Sequence, residues 1–259
     1  MLQQAVQFGR DLLPAAVLDR RPGRKLVVGI IIVVYLFALA PTVATIPFAA
    51  NADFGALTNQ EFVSAWVNSF KLAIPAAVAA TVLSTAAARF YRDVKYKNAY
   101  ILFMSLPIFI PGNLHAMGSV IFGKQVGLSL GYWHLLMAHT FYTFPFGFFI
   151  VLSVMAGVPK EVNDAAKDLG ATGFRAFVDI EAPLIVDGLV SAFLLSLLLS
   201  VNESARAGLV GGSYQTISSL ISSKYEAVGL TGEIYALNIS VVGLAIVLMV
   251  VIISLLIFD

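Results

Sequence analysis

Apolar residues gather into six tracts along the chain, running roughly from Leu26 to Phe48, Phe70 to Ala87, Ala99 to Ile121, Trp133 to Ala156, Leu184 to Val201 and Ala236 to Phe258. Four of the six contain no Asp, Glu, Lys or Arg. At ~1.5 Å per helical residue each tract can cross about 30 Å of hydrocarbon. The tracts lack the period-two alternation of a membrane barrel, and an isolated strand would leave its backbone groups unpaired in lipid, so they predict helices. The expected fold is all-α: a polytopic membrane protein with six transmembrane helices.

The first tract has a rival reading. Arg20, Arg21, Arg24 and Lys25 precede it, and Ala50-Asn51-Ala52 follows it in the A-x-A pattern of a cleavage site. A signal-peptide core is only about 7–15 residues long, whereas this tract has 23. It is therefore read as a retained span.

Composition supports the same class. Of 259 residues, 59% are hydrophobic and only 12% charged, about half the charge of an ordinary soluble domain. Six spans leave no room for a second soluble domain of ~100–150 residues. The division expected is a cytoplasmic N-terminal segment, 1–25, and a transmembrane domain, 26–258. The absence of cysteine removes thiolate metal sites, iron–sulfur clusters and cysteine nucleophiles. The net charge of +1 says less than where the charges lie. Of the 16 Lys and Arg residues, twelve fall in the N-terminal segment, between the second and third tracts, or between the fourth and fifth. The four others are Lys71, Lys124, Arg206 and Lys224. By the positive-inside rule both termini are expected in the cytoplasm. Lys71, beside Asn68 and Ser69, fits a lysine snorkelling at the outer rim better than one in an ion pathway.

Catalytic patterns fail on inspection. Gly118 to Lys124 reads G-x-x-x-x-G-K, but Gln125 stands where a Ser or Thr would hold magnesium, and the segment follows a span instead of a strand. His115, His134 and His139 have neither metalloprotease spacing nor a nearby carboxylate, so no metal site and no catalytic set is expected. His139, near Tyr142 in the fourth tract, reads first as an interhelical hydrogen-bonding residue and second as a pathway-lining one.

The segment Pro159 to Pro183 is long for an inner loop and invites a function. Pro159 suits a first helical turn. Val162, Ala165, Ala166 and Leu169 fall at i, i+3, i+4 and i+7 and predict one apolar stripe. Gly170 fits a left-handed helix end, and Thr172 a new N-cap. A second short helix carrying Phe174, Phe177 and Ile180 should end at Pro183. Two short helices with exposed aromatics form a knob suited to a partner's groove. The competing reading, a helix lying on the lipid interface, calls for more Lys and Arg than the three present.

The spacing Asp164-Ala165-Ala166, three residues, Gly170, nine residues, Ile180, two residues, Pro183 resembles the E-A-A-x3-G-x9-I-x-L-P signature of membrane subunits of binding-protein-dependent ABC importers. Asp164 stands for the usual Glu and Ala182 for the usual Leu. The resemblance extends over roughly 60–258, through Asn68-Ser69, Pro107, Pro111 and Pro145. It implies that 159–183 is a coupling loop, with Asp164, Ala165, Ala166, Gly170, Ile180 and Pro183 meeting an ATP-binding cassette subunit dimer. It also implies a second permease subunit, homologous or identical, an extracytoplasmic substrate-binding protein, and a place in a bacterial-type inner membrane. No cofactor is expected in this chain; ATP and magnesium belong to the partner ATPase.

Leu169-Gly170-Ala171 resembles the branch carrying polyamines, ferric iron, thiamine and phosphonates, more than the sugar permeases. Ser200 to Glu203 with Leu209 to Gly212 looks like the segment after the fifth span of polyamine permeases, although one of the two acids common there is replaced by Asn202. Polyamine is the favoured cargo. Asn202 and Glu203, with His139 and Tyr142, are the candidate pathway residues, and Glu203 could equally form a simple i,i+3 pair with Arg206. A secondary transporter, the rival class, would call for titratable groups or broken helices at mid-membrane. The sequence shows neither.

Overall fold

The computed structural model of the protein describes residues 46–257 together with positions 29–30, 32–34 and 36–37. The chain divides into two compact units, Met1–Asn51 and Ala52–Asp259. In the first, the described positions near residue 30 are helical, and a 3-10 turn covers Ile46–Asn51. Most of the expected first span, and all of the 1–25 segment, lie outside the described residues.

In the second unit all regular structure among the described residues is helical. The elements used below are α1 (Gln60–Tyr91), α2 (Lys97–Ser105), α3 (Gly112–Val126), α4 (Tyr132–Met155), α5 (Lys160–Asp168), α6 (Gly173–Ala176), α7 (Val186–Val201), α8 (Ala205–Val210), α9 (Ile217–Val228) and α10 (Gly232–Ile257). Three of these, α1, α4 and α10, are long and apolar enough to span alone; two bent pairs bring the number to five.

The centre of the unit is α1 packed along α4, with α7 against both. Small side chains allow this closeness. Ala73, Ala76, Ala77, Ala80, Ser84 and Ala88 of α1 are buried, and Gly147 of α4 lies so near Ser84 that an added Cβ would sit 2.7 Å from its Oγ. Ser84 Oγ also donates to the Phe144 carbonyl at 2.8 Å, the residue just before Pro145.

Two tracts depart from the expected straight spans. The second tract begins ten residues early, at Gln60, and α1 runs for 32 residues. At ~1.5 Å per residue that exceeds the ~30 Å of hydrocarbon, so Lys71, expected one residue past a helix start, lies three turns into a helix whose first part overhangs. The third tract is not one helix. It breaks between Phe109 and Gly112, where its two arms meet at 95°. Pro107 is the second residue of the 3-10 turn Leu106–Phe109 and Pro111 is the N-cap of α3; each lacks an N–H and disfavours helical backbone before it.

The 159–183 segment forms the expected pair with two corrections. Gly170 takes φ +87° after α5, and Thr172 caps α6 by accepting from the Arg175 N–H at 3.3 Å. Pro183, however, does not end the second helix. Helical backbone continues through a π-helical turn, Phe177–Glu181, and through Ala182–Leu184, where Pro183 occupies a first-turn position that needs no N–H donor. The break comes at Ile185, where this arm meets α7 at 79°. Phe177, expected exposed with Phe174, is half-buried.

Candidate functional site

The break in the third span opens a cavity of about 530 Å³ between Ile108 to Asn113, Tyr142 and Phe146 of α4, and Asn202 to Arg206 beyond the end of α7. Its charged group is built from residues close in sequence. Glu203 accepts from the Arg206 backbone N–H at 3.1 Å and pairs with Arg206 Nη1 at 2.7 Å. The guanidinium is almost wholly buried, at 2% exposure, and lies 3.9 Å above the Tyr142 ring. Its Nε donates to His115 Nδ1 at 3.1 Å, which places the ring proton of a neutral His115 on Nε2. Carboxylate, aromatic face and imidazole together surround one cation. An ion pair in such a place keeps its strength because water does not screen it.

Of the four candidate pathway residues, three line this cavity: Asn202, Glu203 and Tyr142. Asn202 turns its amide back to the Leu198 carbonyl at 2.9 Å, ending its own helix. His139 is not in the lining. It is fully buried and its Nδ1 meets Ser200 Oγ at 2.7 Å across α4 and α7, the interhelical role read first from the sequence. Sequence reasoning missed His115 and the Ile108 to Asn113 break. The Pro107 and Pro111 pair was the available signal, and a broken helix, the feature whose apparent lack counted against a secondary transporter, is present in this chain.

The same end of the bundle is braced by further polar contacts. Tyr214 donates to the Asn68 carbonyl at 2.8 Å, Asn68 Nδ2 to the Gln215 carbonyl at 3.1 Å, and the Ile217 N–H to Ser69 Oγ at 2.8 Å. Asn68 and Ser69 lie inside α1, not at its start, and hold the 211–216 loop and the first residue of α9 against it. Lys224 of α9 joins Glu61 and Glu233, each at 2.9 Å. Both bonds favour its charged form and hold its pKa above the ordinary lysine value.

At the opposite end, the α5–α6 pair carries the other candidate residues. Ala166 is buried, while Asp164, Ala165 and Gly170 are exposed and Ile180 is half-buried. Leu169 at 91% and Phe174 at 76% exposure face outward. These two large apolar groups on a short helical knob need a partner surface to leave water. The knob rests on a buried carboxylate that sequence reasoning overlooked. Glu181, 2% exposed, pairs with Arg89 Nε at 2.9 Å and Arg92 Nη1 at 3.0 Å.

Residues 88–259 match the family model described as binding-protein-dependent transport system inner membrane component. The chain is 28% identical over 235 residues to the spermidine/putrescine transport system permease protein PotC of Haemophilus influenzae, covering 84% of this chain and 91% of that protein. It is 24% identical over 225 residues to the putrescine transport system permease protein PotI of Escherichia coli K12, covering 83% and 80%. Among solved structures, inward-facing MetNI methionine ABC transporter matches with a TM-score of 0.59 at 16% identity, over 76% of this chain and 99% of that one. A bacterial alginate ABC transporter in complex with its pentasaccharide-bound periplasmic protein matches with a TM-score of 0.61 at 16% identity, over 89% and 91%. At that identity the two structures speak to the fold alone.

Proposed function

We propose a cargo, partners and an orientation for a chain that belongs to the binding-protein-dependent transport system inner membrane component family. It is a multi-pass permease subunit of an ABC importer. Its cargo is a polyamine, and the observation that carries this is the similarity to spermidine/putrescine permeases along more than four-fifths of the chain. The cavity chemistry agrees in kind: a carboxylate and an aromatic face, those of Glu203 and Tyr142, are ligands for an ammonium group.

The pathway is shared with a second permease subunit, homologous or identical, and an extracytoplasmic binding protein delivers the solute. ATP and magnesium are held by a separate ATP-binding cassette dimer. The α5–α6 knob, with Asp164, Ala165, Ala166, Gly170, Ile180 and Pro183, docks in that ATPase, and Leu169 and Phe174 supply exposed apolar surface for the contact. Both termini then lie in the cytoplasm, in keeping with the twelve-to-four division of Lys and Arg.

Purification from native membrane followed by mass identification of bound subunits tests the partners; an ATP-binding cassette subunit is the expected companion. Uptake competition tests the cargo. Unlabelled spermidine should suppress uptake of labelled putrescine or the reverse, whereas transport of sulfate, as the name of a 23% identical relative would suggest, would remove the polyamine assignment.

A further inference from the structure

We infer that Glu181 is a positioning residue that ties the coupling knob to α1 and α4, so that a push on the knob moves three segments together. This rests on the reading of the knob as the ATPase contact.

The covalent continuation of the knob is a poor lever. Chain leaving α6 reaches α7 only through a 79° bend at Ile185. Glu181 supplies another route. It ends the π-helical turn Phe177–Glu181, a local geometry that occurs often at functional positions. Its two oxygens face Arg89, in the last turn of α1, and Arg92, the C-cap of that helix. Arg92 reaches further: its Nη2 donates to the Met155 carbonyl at 2.8 Å and the Val158 carbonyl at 3.1 Å, where α4 ends. Arg89 lies over the Phe177 ring at 4.6 Å, gripping the same turn from a second side. One buried carboxylate thus joins the knob to the ends of the two helices that pack most closely in the bundle. A buried carboxylate held between two guanidinium groups, one at each oxygen, cannot slide without leaving charge unpaired, so the three segments shift as a unit.

The test uses the assembled complex in proteoliposomes, with its ATPase and binding protein, and reads both solute transported and ATP hydrolysed. Glu181→Gln should leave subunits bound and ATP hydrolysis within about twofold, while transport falls at least tenfold, raising ATP consumed per solute by the same factor. Normal transport, or parallel loss of both activities, overturns the inference. If Glu181→Gln does not assemble, the absence of native cysteine allows Arg89→Cys with Glu181→Cys. Transport should be low with thiols free and recover when a short bifunctional thiol reagent joins them; equal transport before and after joining overturns it. Failure of the coupling reading is separately visible. In that case Gly170→Val, at the knob's turn, leaves transport and ATPase binding untouched whatever Glu181 does.

Discussion

Each end of the helical unit holds a buried arginine–carboxylate cluster, and the two are built in opposite ways. Glu203 and Arg206 are three residues apart and close on each other around a helix start, beside a cavity. Glu181 meets Arg89 and Arg92 from a distant part of the chain. A local pair can break without moving helices relative to one another, because both partners ride on one segment. A long-range cluster cannot. The first arrangement suits a site where a passing cation competes for a carboxylate; the second suits a mechanical joint.

The contrast predicts unequal costs. Arg92→Ala leaves the Glu181 carboxylate with one partner and abandons the Met155 and Val158 carbonyls, a loss of about 3–5 kcal/mol. Thermal unfolding in detergent should show a larger drop for this variant than for any of the substitutions that follow, and a drop as small as that of a surface change would refute the buried joint. At the cavity the two partners should differ in function more than in stability. Glu203→Gln is expected to slow cation uptake about tenfold, while Arg206→Gln leaves uptake unchanged or faster because the carboxylate is freed. Equal losses would make the pair structural.

Smaller effects are expected away from the two clusters. Gly170→Val forces a β-branched residue to φ +87°, costing at least ~1 kcal/mol; it should release the ATPase on purification while the chain stays in the membrane. Lys224, tied to Glu61 and Glu233, has its pKa raised in the folded state. Its contribution is therefore complete below the ordinary lysine value of 10.5 and disappears as pH rises through the higher folded value. For a partly exposed network this is worth only ~0.2–1 kcal/mol. Lys224→Met should lower the melting temperature slightly at neutral pH and flatten the alkaline limb of the profile, so that the two proteins converge at the highest pH.

The two clusters also mark how far the sequence could be read. Glu203 and Arg206 are visible as an i,i+3 pair at the end of an apolar tract, and the Gly170 turn and Thr172 cap are visible because turn chemistry is local. Glu181 is invisible, being one polar residue in a motif position of no fixed type whose partners count, in sequence, only as positive-inside charge. The bend at Pro111 escapes for a related reason. Hydropathy sums along a tract and does not register that Pro107 and Pro111 turn its two halves by 95°. Hydropathy locates α4, α7 and the end of α10 well, and the starts of α1 and α10 poorly, since those helices begin before the apolar stretch.

Whether this chain serves an ATP-driven polyamine importer is measured most directly by uptake of labelled spermidine into proteoliposomes holding the assembled complex. Uptake should require ATP on the knob side and binding protein on the other, and should collapse in Gly170→Val. Spermidine uptake driven by an ion gradient in the absence of ATP, and unaffected by Gly170→Val, would contradict both the energy source and the coupling role of the knob.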